Sequence, residues 1–167
     1  MQKKLHQLDP TLKHFLAAFT LLLSIATSVG LTFVYQTTRM QLSGVIERYN
    51  GSDLETLDET IDIPENYPKS ISELLLNTHN HLFGFSFIFL SMGILFFFNS
   101  FIDGKWKSIL LVEPFISVFI TFASMWGMRF IDPAFAYVLV LAAVLTYLSF
   151  FVMAAVIVYE LLFYKTS

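Results

Sequence analysis

Phe15–Tyr35, FLAAFTLLLSIATSVGLTFVY, contains no charged side chain. A helix needs about 20 mainly apolar residues to cross a hydrocarbon core about 30 Å thick, and this run supplies them. Three more runs of the same kind follow, at about 74–98, 108–130 and 134–163. In a chain of 167 residues they leave little else to fold. The chain is 56% apolar and 14% charged, with 19 Phe and a mean hydropathy of +0.66, more apolar surface than a soluble fold of this size can hide. Backbone inside lipid must satisfy its own hydrogen bonds, so each run is expected to be a helix.

The expected fold is all-α: an antiparallel four-helix transmembrane bundle with a small acidic extracytoplasmic loop between the first and second helices. One integral membrane domain covers 1–167, with the first span at about 15–35 and the outer loop at about 36–69. Short connections make the second, third and fourth spans antiparallel neighbours. The first run exceeds the roughly 7–15 residues of a signal-peptide core and no A-x-A-like site follows it, so a retained anchor is expected.

This composition excludes disorder, an ordinary soluble enzyme and nucleic-acid binding. There is no cysteine, hence no disulfide, thiolate metal site or iron–sulfur cluster. Net charge is −3 and the isoelectric point about 5.7, which offers nucleic acid no basic patch. Lysines sort the topology. Lys3, Lys4, Lys13, Lys105, Lys107 and Lys165 fall on one side, whereas Arg39, Arg48, Lys69 and Arg129 fall on the other with the long acidic connection. Both termini are therefore expected in the cytoplasm.

In the outer loop, Thr37–Tyr49 is expected to continue the first helix beyond the bilayer. Asn50-Gly51-Ser52-Asp53 signals a turn. Leu54, Leu57, Ile61 and Ile63 anchor an acidic stretch that Pro64 and Pro68 interrupt, as expected of a cap folded over the helix ends. Ser70-Ile71-Ser72-Glu73 fits a capping box, which starts the second helix near Ile71 and places Asn77-Thr78-His79-Asn80-His81 at the outer hydrocarbon boundary.

Glu73, Asn77 and His81 recur every four residues and share one helix face, while His79 lies about 200° around the helix from His81. His79 and His81 therefore cannot ligate one ion from an undistorted helix. At the same depth the third span carries Ser124-Met125-Trp126-Gly127-Met128-Arg129. An inward His with a Met opposite is an axial pair for haem iron and also suits copper(I). The candidate site is thus His81 with Met125 or Met128 as ligands, and Arg129 as anchor for a propionate. The competing reading places both His in the headgroup layer, bonded to Glu73, Asn77 or the loop, with the Met pair as packing and Arg129 snorkelling.

Glu113-Pro114 is the second candidate, because an ionisable residue within a span is a functional-site hypothesis. Proline disfavours helix at the preceding residue, so the third helix is expected to begin at Pro114, with Glu113 at its N-terminus. The sharper alternative pairs Glu113 with His14, Lys107 or Lys165. Catalytic patterns such as G-x-S-x-G, H-E-x-x-H or a phosphate-binding loop are missing from the sequence.

Pro68-Lys69-Ser70, Glu73-Leu74-Leu75 and Thr78-His79-Asn80-His81 leading into an apolar span resemble small four-span bacterial inner-membrane proteins with a T-H-x-H motif opening the second span. The resemblance singles out His79 and His81 and implies a location, not an activity. Cytochrome b-like bundles are a looser analogy. They pair His on facing helices, and the third and fourth spans here have none.

Three functions follow as expectations. The first is a non-catalytic membrane subunit or accessory protein, acting through helix faces and the outer cap, with the bilayer and other membrane subunits or further copies of itself as partners. The second is a redox-associated protein holding haem b or copper at His81 with Met125 or Met128. The third is a small-substrate carrier with a midplane cavity built from Ser24, Thr27, Ser28, Ser91, Ser117, Thr121 or Thr146.

Overall fold

The computed structural model describes residues 3–52 and 66–164. The cap anchors Leu54, Leu57, Ile61 and Ile63, the chain-breaking Pro64, and Lys165 lie outside the described residues. Among the described residues there are five α-helices: α1 (Pro10–Thr38), α2 (Leu42–Asn50), α3 (Ile71–Phe97), α4 (Gly104–Phe130) and α5 (Phe135–Leu162). All but α2 are long and apolar enough to cross a membrane, and no strand occurs among the described residues. The four long helices form an antiparallel bundle.

Local chemistry sets the helix starts. Asp9 caps α1, its side chain accepting from the Thr11 N–H at 2.8 Å, with Pro10 in the first turn, where its missing N–H costs nothing. The capping box on α3 is present: Ser70 Oγ accepts from the Glu73 N–H at 3.3 Å, and Glu73 Oε2 accepts from the Ser70 N–H at 2.8 Å. The 27 residues of α3 span about 40 Å, so its first turns project beyond a hydrocarbon core of about 30 Å.

Two boundaries differ from the sequence expectation. Helix α1 does not run on to Tyr49. It stops at Thr38, where Arg39 (φ 52°) and Met40 (φ 53°) adopt left-handed backbone and reverse the chain into α2. Gly44 makes the tight return possible, since a Cβ there would collide with the Thr38 carbonyl. The third span does not begin at Pro114 either. Helix α4 starts at Gly104 and passes through the buried Pro114 without a break. A single missing N–H is tolerated in a spanning helix whose neighbours close around it.

Helix α5 is the hub, packing against α4, α1 and α3, whereas α1 leans on α5 and α2 rather than on α3. The core between α3, α4 and α5 contains Phe89, Met92, Phe96, Phe122, Met125, Phe150, Met153 and Ile157. At one end of the bundle α2 lies across α4 and α5, burying Val45 against Met128 and Ala136. At the opposite end the N-terminal tail docks through a short 3-10 helix, Leu5–Gln7, with Leu5 buried and its N–H donating to the Phe98 carbonyl at 3.2 Å.

Candidate functional site

Because α1 leans away from α3, a cleft of about 530 Å³ opens between them at the α2 end. Its floor is α4 and α5, through Val118, Phe122, Leu139 and Ala143. Its rim at the α2 end carries Arg48, Tyr49, Lys69 and Glu73, and deeper down it is lined by Leu23, Phe85 and Ile88. On α1 the lining residues Leu23, Ala26, Thr27, Gly30, Phe33, Val34 and Thr37 form one stripe at helical spacing, with Gly30 at its centre. A Cβ on Gly30 would meet nothing within 4 Å. The small residues Ala26 and Gly30 leave the space that the cleft occupies.

Glu73, Asn77 and His81 share a face, as their spacing requires, and all three line this cleft. His81 Nδ1 lies 2.8 Å from the Asn77 carbonyl. A carbonyl only accepts, so Nδ1 is the donor. The ring packs against Phe122 and Phe85, with centroids 5.5 and 6.1 Å away. His79 faces elsewhere, is exposed, and packs on Phe83 at 4.9 Å.

Met125 is 1% exposed, lines the cleft, and accepts a contact from Asn77 Nδ2 at 3.7 Å. Met128 goes to the separate cluster beneath α2. The two methionines therefore do not act on one face. Trp126 Nε1 donates to Thr78 Oγ1 at 3.0 Å. These contacts tie α3 to α4 beside the cleft. Arg129 donates from Nε to the Lys69 carbonyl at 3.3 Å and sits 5.2 Å from the Phe130 ring, fixing the chain before α3. Among the described residues no group of three or more His, Cys, Asp or Glu is arranged to hold a metal ion.

Residues 39–167 match a family described as a transmembrane helical domain. The chain belongs to that family. The matched region includes α2 to α5, so the cleft lies between it and α1. No curated protein and no solved structure matches the chain.

Glu113 takes a different place from the one its Pro114 neighbour implied. It sits within α4, and its carboxylate accepts hydrogen bonds from Ser117 Oγ one turn on and from Ser149 Oγ on α5. It is therefore neither at a helix N-terminus nor paired with Lys107, which bonds Asp103 at 3.3 Å and the Phe97 and Asn99 carbonyls at 3.2 and 3.1 Å. His14 is exposed on α1. The hydroxyls proposed for a midplane cavity mostly turn back on their own helices. Ser24, Thr27, Ser28, Ser91, Thr121 and Thr146 each donate to the carbonyl four residues earlier, although Thr27, Thr121 and Thr146 also line the cleft.

Sequence reasoning missed a second polar centre, at the tail end. Glu160 is fully buried. It accepts from Ser100 N–H at 2.7 Å, Ser100 Oγ at 2.6 Å and His6 Nδ1 at 2.9 Å. Beside it, buried Asn99 accepts on Oδ1 from the Phe101 and Ile102 N–H groups at 2.9 and 2.7 Å, and its carbonyl accepts from Lys4 Nζ at 3.2 Å. This centre ties the tail, the α3–α4 turn and α5 together, a structural clamp remote from the cleft. Its sequence signal was Glu160, a lone acid closing an uncharged run, which demands a buried partner. The cleft residues Arg48, Tyr49, Gly30 and Tyr147 were missed as well. Their only legible signal was the Ala26–Gly30 spacing of small residues on the first span.

Proposed function

We propose that this chain is a non-catalytic membrane protein that works by binding, with the cleft between α1 and α3 receiving an amphiphilic molecule from the bilayer. The single observation that carries this reading is the polarity gradient of the cleft. Arg48, Tyr49, Lys69 and Glu73 stand at one end, and Leu23, Phe85, Ile88 and Val118 line the other. Pockets of roughly 300–1,000 Å³ hold small ligands, and 530 Å³ falls in that range.

The reading places the protein in a bacterial inner membrane with both termini cytoplasmic and the α2 end outside. The cluster of Lys4, Lys13, Lys105 and Lys107 toward the tail end supports that orientation. The exposed apolar face of α3, with Phe83, Phe87, Leu90 and Ile94, supports contact with lipid, another membrane subunit or a second copy. Within the T-H-x-H motif, Thr78 serves α3–α4 packing and His81 serves the cleft.

Thermal unfolding in detergent, with and without added polar lipid extract, tests the reading. Lipid is expected to raise the midpoint of the natural chain, since a ligand at about 100 times its Kd stabilises by roughly 2.7 kcal/mol. Gly30→Leu is expected to keep the fold and lose that response, because its side chain enters the cleft. An equal lipid response in both proteins would sink the proposal.

A second reading keeps haem or copper at His81, favoured by the orientation that the Nδ1 contact with the Asn77 carbonyl gives the ring at the cleft. Absorption spectra of air-oxidised and dithionite-reduced protein, with metal analysis, decide it. A Soret band lost in His81→Ala would establish haem, and a colourless, metal-free folded protein would remove this reading.

A further inference from the structure

The cleft has the dimensions and charge of a site for one particular class of amphiphile. We infer that its occupant is a phosphate-bearing diacyl lipid of the surrounding leaflet, with its phosphate at Arg48 and Lys69 and one acyl chain lying between α1 and α3. The inference rests on the amphiphile reading above and names the head group.

Length is the first argument. The α3 residues that line the cleft run from Glu73 to Ile88, about 22 Å at 1.5 Å per residue. Half of a hydrocarbon core of about 30 Å, together with the adjoining headgroup layer, matches this depth. The cleft therefore reaches as deep as one lipid of one leaflet. Its entrance is lateral, because α1 is held by α5 and α2 and not by α3. An acyl chain can slide in sideways while its head stays at the interface. The small residues Ala26 and Gly30 on α1 and Ala143 on α5 give the chain its width.

Charge at the rim is the second argument. Arg48 and Lys69 both line the cleft at the α2 end, where the head of such a lipid would sit. The Arg48 guanidinium stands 5.0 Å from the ring of Phe33, another lining residue, which fixes it over the entrance and not out in water. Lys69 Nζ pairs with Glu73 Oε1 at 3.1 Å, but the two side chains are 39% and 54% exposed. Such a pair is weak enough for Lys69 to turn to a phosphate. The Glu73 charge is already engaged by the cap of α3, through Ser70 N–H at 2.8 Å and Ser70 Oγ at 2.9 Å. A guanidinium and an ammonium on one rim suit a phosphate ester better than an uncharged head.

Native mass spectrometry of the full chain in detergent, offered phosphatidylglycerol or diacylglycerol with the same acyl chains, tests this. The natural chain is expected to retain one phosphatidylglycerol per protein and at least about tenfold less diacylglycerol. Arg48→Gln and Lys69→Gln are each expected to lower phosphatidylglycerol retention several-fold, with Arg48→Lys intermediate. Gly30→Leu should retain neither lipid while melting at or above the temperature of the natural chain, so that a loss of binding is not a loss of fold. If diacylglycerol is retained as well as phosphatidylglycerol and Arg48→Gln changes nothing, the phosphate assignment fails and the amphiphile reading stands. If the natural chain retains neither, or a lipid-free dimer closes the cleft with a second copy, both fail.

Discussion

Replacing Glu160 with Ala isolates the clamp at the tail end of the bundle. The carboxylate is 0% exposed and its partner His6 only 8%, so the energetics are those of a buried pair. Removing it strands the buried Ser100 N–H, which it meets at 2.7 Å, and takes from the His6 ring its nearer partner at 2.9 Å, leaving that ring Ser100 Oγ at 3.1 Å. An orphaned buried donor costs about 1–3 kcal/mol. With the hold on His6 weakened as well, a loss of about 2–3 kcal/mol is expected. Glu160→Gln keeps an acceptor for the Ser100 N–H but turns an NH₂ group toward its other neighbours, so a smaller loss of about 1–2 kcal/mol follows. Unfolding by SDS titration from mixed micelles reads the stability, and hydrogen exchange over residues 3–8 reads the docking of the tail. In Glu160→Ala these residues should lose protection while helicity is retained. A change below about 1 kcal/mol with the tail still protected would refute the clamp, since a carboxylate with these bonds cannot be removed silently.

Three further perturbations separate other parts of the account. Gly44→Ala drives a methyl group into the Thr38 carbonyl. The expected cost is about 1–3 kcal/mol despite a gain of about 1 kcal/mol in helix propensity, read as lost hydrogen-exchange protection over α2. Glu113→Ala removes the link from α4 to Ser149 on α5. Polar links between spanning helices are worth about 0.6 kcal/mol on average and at most about 1.7, so a loss of about 1 kcal/mol in SDS unfolding is expected, without any effect on lipid retention. Thr78→Val deprives the Trp126 indole of its acceptor at 3.0 Å. With Trp106 replaced by Phe to isolate the signal, Trp126 emission should shift to the blue and stability should fall by about 0.5–1.5 kcal/mol.

The spans were legible because lipid imposes a length and a composition that few other environments demand. The start of α3 was legible to the residue, since Ser70 and Glu73 form a box whose chemistry is local. The end of α1 was hidden. Arg39 and Met40 take left-handed backbone without Gly or Asn to announce it, and the reversal depends on α2 finding its seat on Met128 and Ala136. Pro114 misled for a related reason. Its local preference against helix at Glu113 is overridden by the packing of α4 on α5. The common face of Glu73, Asn77 and His81 followed from helical spacing alone. What that face looks onto did not, because the cleft exists only where α1 leans away, with Arg48 and Tyr49 arriving from α2 and Tyr147 from α5.

The cleft itself is best tested by a density map of the protein in lipid nanodiscs containing phosphatidylglycerol. An elongated density between α1 and α3, running past Gly30 and Phe85 and ending in a head near Arg48 and Lys69, is the expected result. Helix α1 closed onto α3, with side chains interdigitated along the Gly30 stripe, would contradict the account.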